Sequence, residues 1–271
     1  LEVGGEVLLF DCGPACVHRL LEKGVDLREI SRLFLTHLHY DHCVDYGYLV
    51  LTRWDQGVGK IPDLQVCGPS PLARITEQLF GAAGIYGPDL AARTQHPGSH
   101  FIYEMRGGQL PRQRPVPAVT EVGEGSVVEG KGWRLETAAV VHCQPQLNCL
   151  AYRLTTEECT VVFGGDTAPT PRLTELARGA DVLLHMCHFD NCAITDHRMT
   201  DCCSGHLDAA RTARDAAVGT LVLVHITEQL ESPGVRERVI GEVGQIFDGH
   251  VVFGADLLEV PLGPITTGVI R

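Results

Sequence analysis

Residues Thr36-His37-Leu38-His39-Tyr40-Asp41-His42 place three imidazoles and one carboxylate within six positions. The alternation sends His37 and His39 to one side of an extended backbone, while Asp41 and His42 diverge across a turn. That arrangement serves two neighbouring metal ions better than one, and neutral imidazole with carboxylate suits borderline divalent metals such as zinc. Further ligands stand in similar settings along the chain. His142 follows the apolar run Ala138-Ala139-Val140-Val141. Asp166 follows Val161-Val162-Phe163-Gly164-Gly165, and His225 follows Leu221-Val222-Leu223-Val224. Each is a polar residue at the carboxyl end of a strand-like run, where α/β folds gather their sites.

The elements that must position these residues are legible as short β-rich runs alternating with helical stretches. Strands are expected at 6–10, 31–35, 64–67, 132–142, 150–154, 160–163, 181–185, 221–225, 251–253 and 257–260. Helices are expected at 17–23, 71–80, 171–177, 206–217 and 235–247, and another around Trp54. Antiparallel-looking strands first and βα units later point to a layered α/β sandwich. The stretch 81–117 is rich in Gly, Pro, Arg and His without clear periodicity.

The chain has 271 residues and a formal charge of -12, which argues against coating nucleic acid by bulk charge but not against a local basic site. No run of 18 apolar residues occurs, so no membrane span is expected. Eleven scattered cysteines, an odd number in a chain of this length, fit a reduced, cytoplasmic protein. The chain opens at Leu1 without an initiator Met, so upstream residues, including a removed signal, are left open.

The ordered motifs His37-x-His39-x-Asp41-His42, His142, Gly164-Gly165-Asp166-Thr167 and His225 resemble those of metallo-β-lactamase-fold hydrolases over nearly the whole chain. The resemblance implies an α/β, four-layer αβ/βα sandwich in a single domain over 1–271, in which the composition of 81–117 reads as a specificity insertion. It implies two zinc ions per chain: His37, His39 and His142 on one, Asp41, His42 and His225 on the other, Asp166 on both. Manganese and iron accept the same ligand set. Asp11 is expected to orient a ligand. Water held between two such ions is acidified toward neutrality and becomes the nucleophile, with Asp41 steering it and accepting its proton.

Within that superfamily the stretch from Gly165 to His185 is similar to ribonuclease Z and the arylsulfatase-like hydrolases around it. Where ribonuclease Z reads His-Glu-Ala-Thr, this chain reads His185-Met186-Cys187-His188. Met186 cannot transfer a proton. The partner of the missing glutamate matches His206, which is expected to take part in proton transfer, with His188 a second candidate. The main expectation is therefore an ester-bond hydrolase acting on a small molecule, anionic ones included. The alternative is a ribonuclease Z-like phosphodiesterase processing tRNA 3′ ends, and a hydrolytic dehalogenase is more remote. The resemblance also implies a homodimer, and no membrane partner is expected because no apolar run is long enough to span one.

Three further features have a bland and a functional reading. Arg93, Arg106, Arg112 and Arg114, with Tyr86, Phe101 and Tyr103, give the 81–117 segment a local positive charge able to attract an anion or to serve as a dimer arm. Trp54 is either core or a pocket wall. Cys187, His188, Asp190, Cys192, Cys202 and Cys203 match no zinc-finger spacing and read as buried or loop thiols, and Cys43 as a packing residue.

Overall fold

A computed structural model describes residues 1–260 and residue 262. The chain divides into two compact units, Leu1–Val122 and Gly123–Arg271.

The first unit carries a mixed five-stranded sheet in the order β1 (Glu2–Val3), β2 (Glu6–Phe10), β3 (Ile30–Phe34), β4 (Gln65–Gly68), β5 (Ala118–Glu121). Gly4 and Gly5, both at positive φ, turn β1 back antiparallel on β2. The pairs β2–β3, β3–β4 and β4–β5 are all parallel. The expected antiparallel opening is thus confined to that hairpin. Parallel pairing requires crossovers, and helices Cys16–Glu22, Tyr46–Gly57 and Leu72–Phe80 lie in them. The last buries Leu72, Thr76 and Phe80, one residue per turn. Helix Tyr46–Gly57 buries Tyr46, Leu49, Val50 and also Arg53. The Arg53 guanidinium survives burial by donating to the carbonyls of Ile30 (2.8 Å) and Pro62 (2.6 Å).

The 81–117 segment is more ordered than its composition implies. It contains helices Gly87–Gln95 and Pro97–Met105, each with a proline in its first turn. Only Gly87, Leu90 and Tyr103 of these two helices are buried, so neither shows the apolar stripe that periodicity detects.

The second unit carries a mixed seven-stranded sheet. In chain order its strands are β6 (Val127–Gly130), β7 (Trp133–Ala139), β8 (Leu150–Thr156), β9 (Thr160–Phe163), β10 (Val182–Met186), β11 (Thr220–Val224) and β12 (His250–Phe253), and they also lie in that order in space. β6 to β9 form an antiparallel meander, and β9 to β12 are parallel. Helix His206–Ala216 packs through Ala209, Ala210, Ala213 and Ala216, all fully buried in one cluster with Leu183, Leu221 and Leu223. Small side chains at this spacing let the helix approach the sheet closely. The expected strand at 257–260 does not form: the backbone turns at Leu257, whose φ is +61°, outside any strand conformation. The expected strand 132–142 stops at Ala139, which leaves His142 in the following loop.

Candidate metal centre

The first unit offers a set of donors built from one short segment. β3 ends at Phe34, residues 35–39 continue without helix, and the short helix Tyr40–Cys43 follows. Asp11, directly after β2, organises this segment. Its two carboxylate oxygens accept the Thr36 N–H (2.7 Å) and the Thr36 hydroxyl (2.8 Å), and one of them also lies 2.8 Å from His42 Nδ1. The Thr36 hydroxyl in turn lies 3.0 Å from His37 Nδ1. With that hydroxyl committed to Asp11, His37 donates from Nδ1 and keeps its Nε2 lone pair. His42 does the same against Asp11.

His37 Nε2 and His39 Nδ1 converge to 3.0 Å. Two nitrogen ligands of a tetrahedral ion, each about 2.0–2.1 Å from zinc, stand at a similar separation, about 3.3 Å. The rings of His37 and His42 lie 4.0 Å apart centroid to centroid, and Asp41 Oδ2 lies 3.7 Å from His42 Nε2. Two backbone features make room for this. Asp11 takes φ +57°, a conformation aspartate tolerates better than most side chains. Gly13 is required because a Cβ there would collide with the Asp41 carbonyl oxygen. Thr36 was not singled out by sequence, although its position beside His37 was the available signal.

The second unit assembles its donors from three strand ends. His142 follows β7, Asp166 follows β9, and His225 follows β11. Asp166 is 4% exposed, and its Oδ2 lies 3.1 Å from His225 Nε2 and 3.8 Å from His142 Nε2. His142 Nδ1 donates to the Cys202 carbonyl at 2.7 Å, which again leaves the Nε2 lone pair for a ligand. The loops are laced together: Ala168 N–H donates to the Val141 carbonyl (2.7 Å), and the Ser204 hydroxyl to the Thr167 carbonyl (2.7 Å). Gly165, at φ +60°, supplies the turn that aims Asp166. A carboxylate this enclosed, flanked by two imidazole nitrogens, is the environment that a bound cation stabilises and an apolar site would not. The imidazole and carboxylate donors of this His/Asp cluster are of the kind that divalent metals take.

His206 is fully buried at the start of its helix. Its Nε2 lies 2.7 Å from Glu242 Oε2, and Arg238 links Glu242 to Asp190. Hydrogen bonds from His206 and Arg238 hold the Glu242 carboxyl below the usual range. Glu242, in helix Val235–Gly244, is the carboxylate that meets His206. The ring is enclosed, so it does not face solvent. Met186 is buried with Phe189 and Cys203.

All eleven cysteines are free thiols. Cys43 packs with its Sγ 3.1 Å from the His39 carbonyl, and burial pushes its thiol up to about 11. Three arginines of the 81–117 segment converge on one carboxylate. Arg93, Arg106 and Arg112 all pair with Asp55, at 3.1, 2.9 and 2.6 Å. Arg112 also stacks over Trp54 (4.0 Å) and Tyr103 (4.8 Å). Trp54 donates from Nε1 to the Gln113 carbonyl at 2.9 Å, so it anchors the insertion.

Residues 7–226 match the family model described as a β-lactamase superfamily domain. The chain belongs to the metallo-β-lactamase superfamily and is a metal-dependent hydrolase of that class. It is 30% identical over 270 residues to ribonuclease Z of Mycobacterium bovis (strain BCG / Pasteur 1173P2), covering 97% of this chain and 91% of that protein. It is 31% identical to ribonuclease Z of Mycolicibacterium gilvum (strain PYR-GCK), covering 97% and 89%. Among solved structures, the metallo-β-lactamase fold protein YhfI from Bacillus subtilis superposes with a TM-score of 0.69 at 20% identity, over 94% of this chain and 87% of that one. The short form of human tRNase Z superposes at 0.67 and 17% identity, over 97% and 91%. These structures share the metallo-β-lactamase fold. Among the described residues no helix is long and apolar enough to cross a membrane.

Proposed function

We propose that this protein is a ribonuclease Z-like phosphodiesterase that cleaves the 3′ side of tRNA precursors. The observation that carries the reading is the 30% identity to a named ribonuclease Z along 97% of the chain. His37, His39 and His142 would hold one divalent ion, Asp41, His42 and His225 a second, with Asp166 serving both; zinc suits this donor set. Bound there, such ions supply Lewis-acid polarisation of a phosphoryl oxygen and acidify water.

The chain's own residues do the rest. Asp11 and Thr36 fix the tautomers of His42 and His37, and the Cys202 carbonyl fixes that of His142. Asp41, its side chain 37% exposed against 11% for His42, orients the attacking water and takes its proton. His206 and Glu242, closed off from solvent on the histidine side, brace the segment between β10 and helix His206–Ala216.

A second reading, a hydrolase of small phosphodiesters or other esters, is favoured by one feature. The position aligned with the family's glutamate is the buried, non-ionisable Met186. Zinc-loaded protein is offered a precursor tRNA and bis-nitrophenyl phosphate side by side, with chelator controls. Cleavage of the tRNA at its 3′ trailer supports the nuclease. Hydrolysis of the small diester with intact tRNA overturns it in favour of the second reading.

A further inference from the structure

We propose that His188 is a positioning residue for His225, accepting a hydrogen bond that presents the Nε2 of His225 to its ligand. The inference rests on the proposed role of His225 as a metal ligand and assigns a task to a residue the function above leaves unused.

The geometry begins with the backbone. β10 and β11 run parallel with Met186 opposite Val224, and the ladder continues one step as the Cys187 N–H donates to the Val224 carbonyl at 2.7 Å. His188 and His225 are the next residues beyond the two strands. The His188 N–H donates to the Ser204 carbonyl at 2.9 Å, which fixes it from the other side. His225 then leaves the strand with φ +55°. For a side chain with a Cβ that conformation is strained, and it persists only where the surroundings determine it.

The two rings meet through a single pair of atoms. Nδ1 of His188 and Nδ1 of His225 are 3.1 Å apart, with ring centroids 5.0 Å apart and planes tilted by 47°. The opposite nitrogen of His225, Nε2, is the one 3.1 Å from Asp166 Oδ2. A metal-ligating imidazole keeps its tautomer and orientation by donating its other N–H to an acceptor. His188 Nδ1 is that acceptor here, as Asp11 is for His42 and the Cys202 carbonyl is for His142. Three histidines of the proposed centre are thereby held from behind by three different kinds of acceptor.

The atom involved makes the proposal specific. Asparagine Oδ1 occupies the position of histidine Nδ1 on Cγ, whereas glutamine Oε1 reaches the position of Nε2. The zinc-loaded full chain, and its His188→Ala, His188→Asn and His188→Gln variants, are challenged with a chelator and the rate of metal loss is measured. Proton NMR of the same samples follows the downfield imidazole N–H of His225. The expected result is metal loss about 10–100-fold faster for His188→Ala, with the resonance gone. His188→Asn restores slow release and the resonance, and His188→Gln does not. Metal loss at the wild-type rate in His188→Ala, or Asn and Gln variants that behave alike, overturns the proposal. Thermal unfolding of the metal-free variants reports folding separately. A wild-type chain that retains no metal overturns this inference and the proposed centre together. Intact tRNA with normal metal retention overturns only the nuclease reading.

Discussion

The two units reach metal-binding chemistry by opposite routes. In the first, His37, His39, Asp41 and His42 come from one turn of chain after β3, and a single carboxylate, Asp11, ties the segment down. In the second, His142, Asp166 and His225 come from three strand ends spread over 84 residues of sequence, and sheet pairing brings them to one carboxylate oxygen. A local set depends on a few hydrogen bonds and on loop glycines such as Gly13. A dispersed set depends on strand order, so it is secured by a whole sheet and its alanine-faced helix.

That contrast is most strongly tested at the dispersed set. Asp166→Ala removes the one oxygen that both imidazoles address, and it should abolish turnover and metal retention together. Metal content per chain by elemental analysis, read beside activity, decides it; one ion retained at wild-type affinity would show that the two sets work independently. Asp11→Ala comes next. It leaves every proposed ligand in place but frees the His42 ring and Thr36, and metal affinity should fall about 10–100-fold in a chelator competition. An unchanged affinity would mean that the local set needs no brace. The smallest effect is expected at Asp55, a residue of helix Tyr46–Gly57 that is not among the proposed ligands. Burial opposes ionisation of Asp55, but hydrogen bonds from Arg112 and Arg106 outweigh it and hold the carboxyl below its ordinary value of 3.8. A depressed carboxylate stabilises the fold fully above that value and loses its contribution as pH falls through the lower folded value. Asp55→Asn should therefore flatten the acid limb of thermal stability below pH 3.8 while leaving metal content unchanged. The same acid slope in both proteins would remove Asp55 from the account.

The pairing of His37 with His39 was legible in the amino-acid sequence because alternation after a strand puts both on one side, whereas the hold of Asp11 on Thr36 and His42 was not. His142, Asp166 and His225 were legible as polar residues ending apolar runs, though their assignment leaned on resemblance to a family. Helices Gly87–Gln95 and Pro97–Met105 were not legible, since helices that bury so few side chains leave no apolar period. The insertion's positive charge was visible, but its convergence on Asp55 was not, because the partners lie up to 57 residues apart.

The sequence by itself determined the supply of His and Asp donors and most strand and helix positions, which are set by side-chain type and local periodicity. The tertiary structure alone decided that the first sheet is largely parallel, that Glu242 meets His206, and that His188 stands behind His225. Those are contacts between segments distant in sequence, fixed by strand order and packing, and no local pattern encodes them.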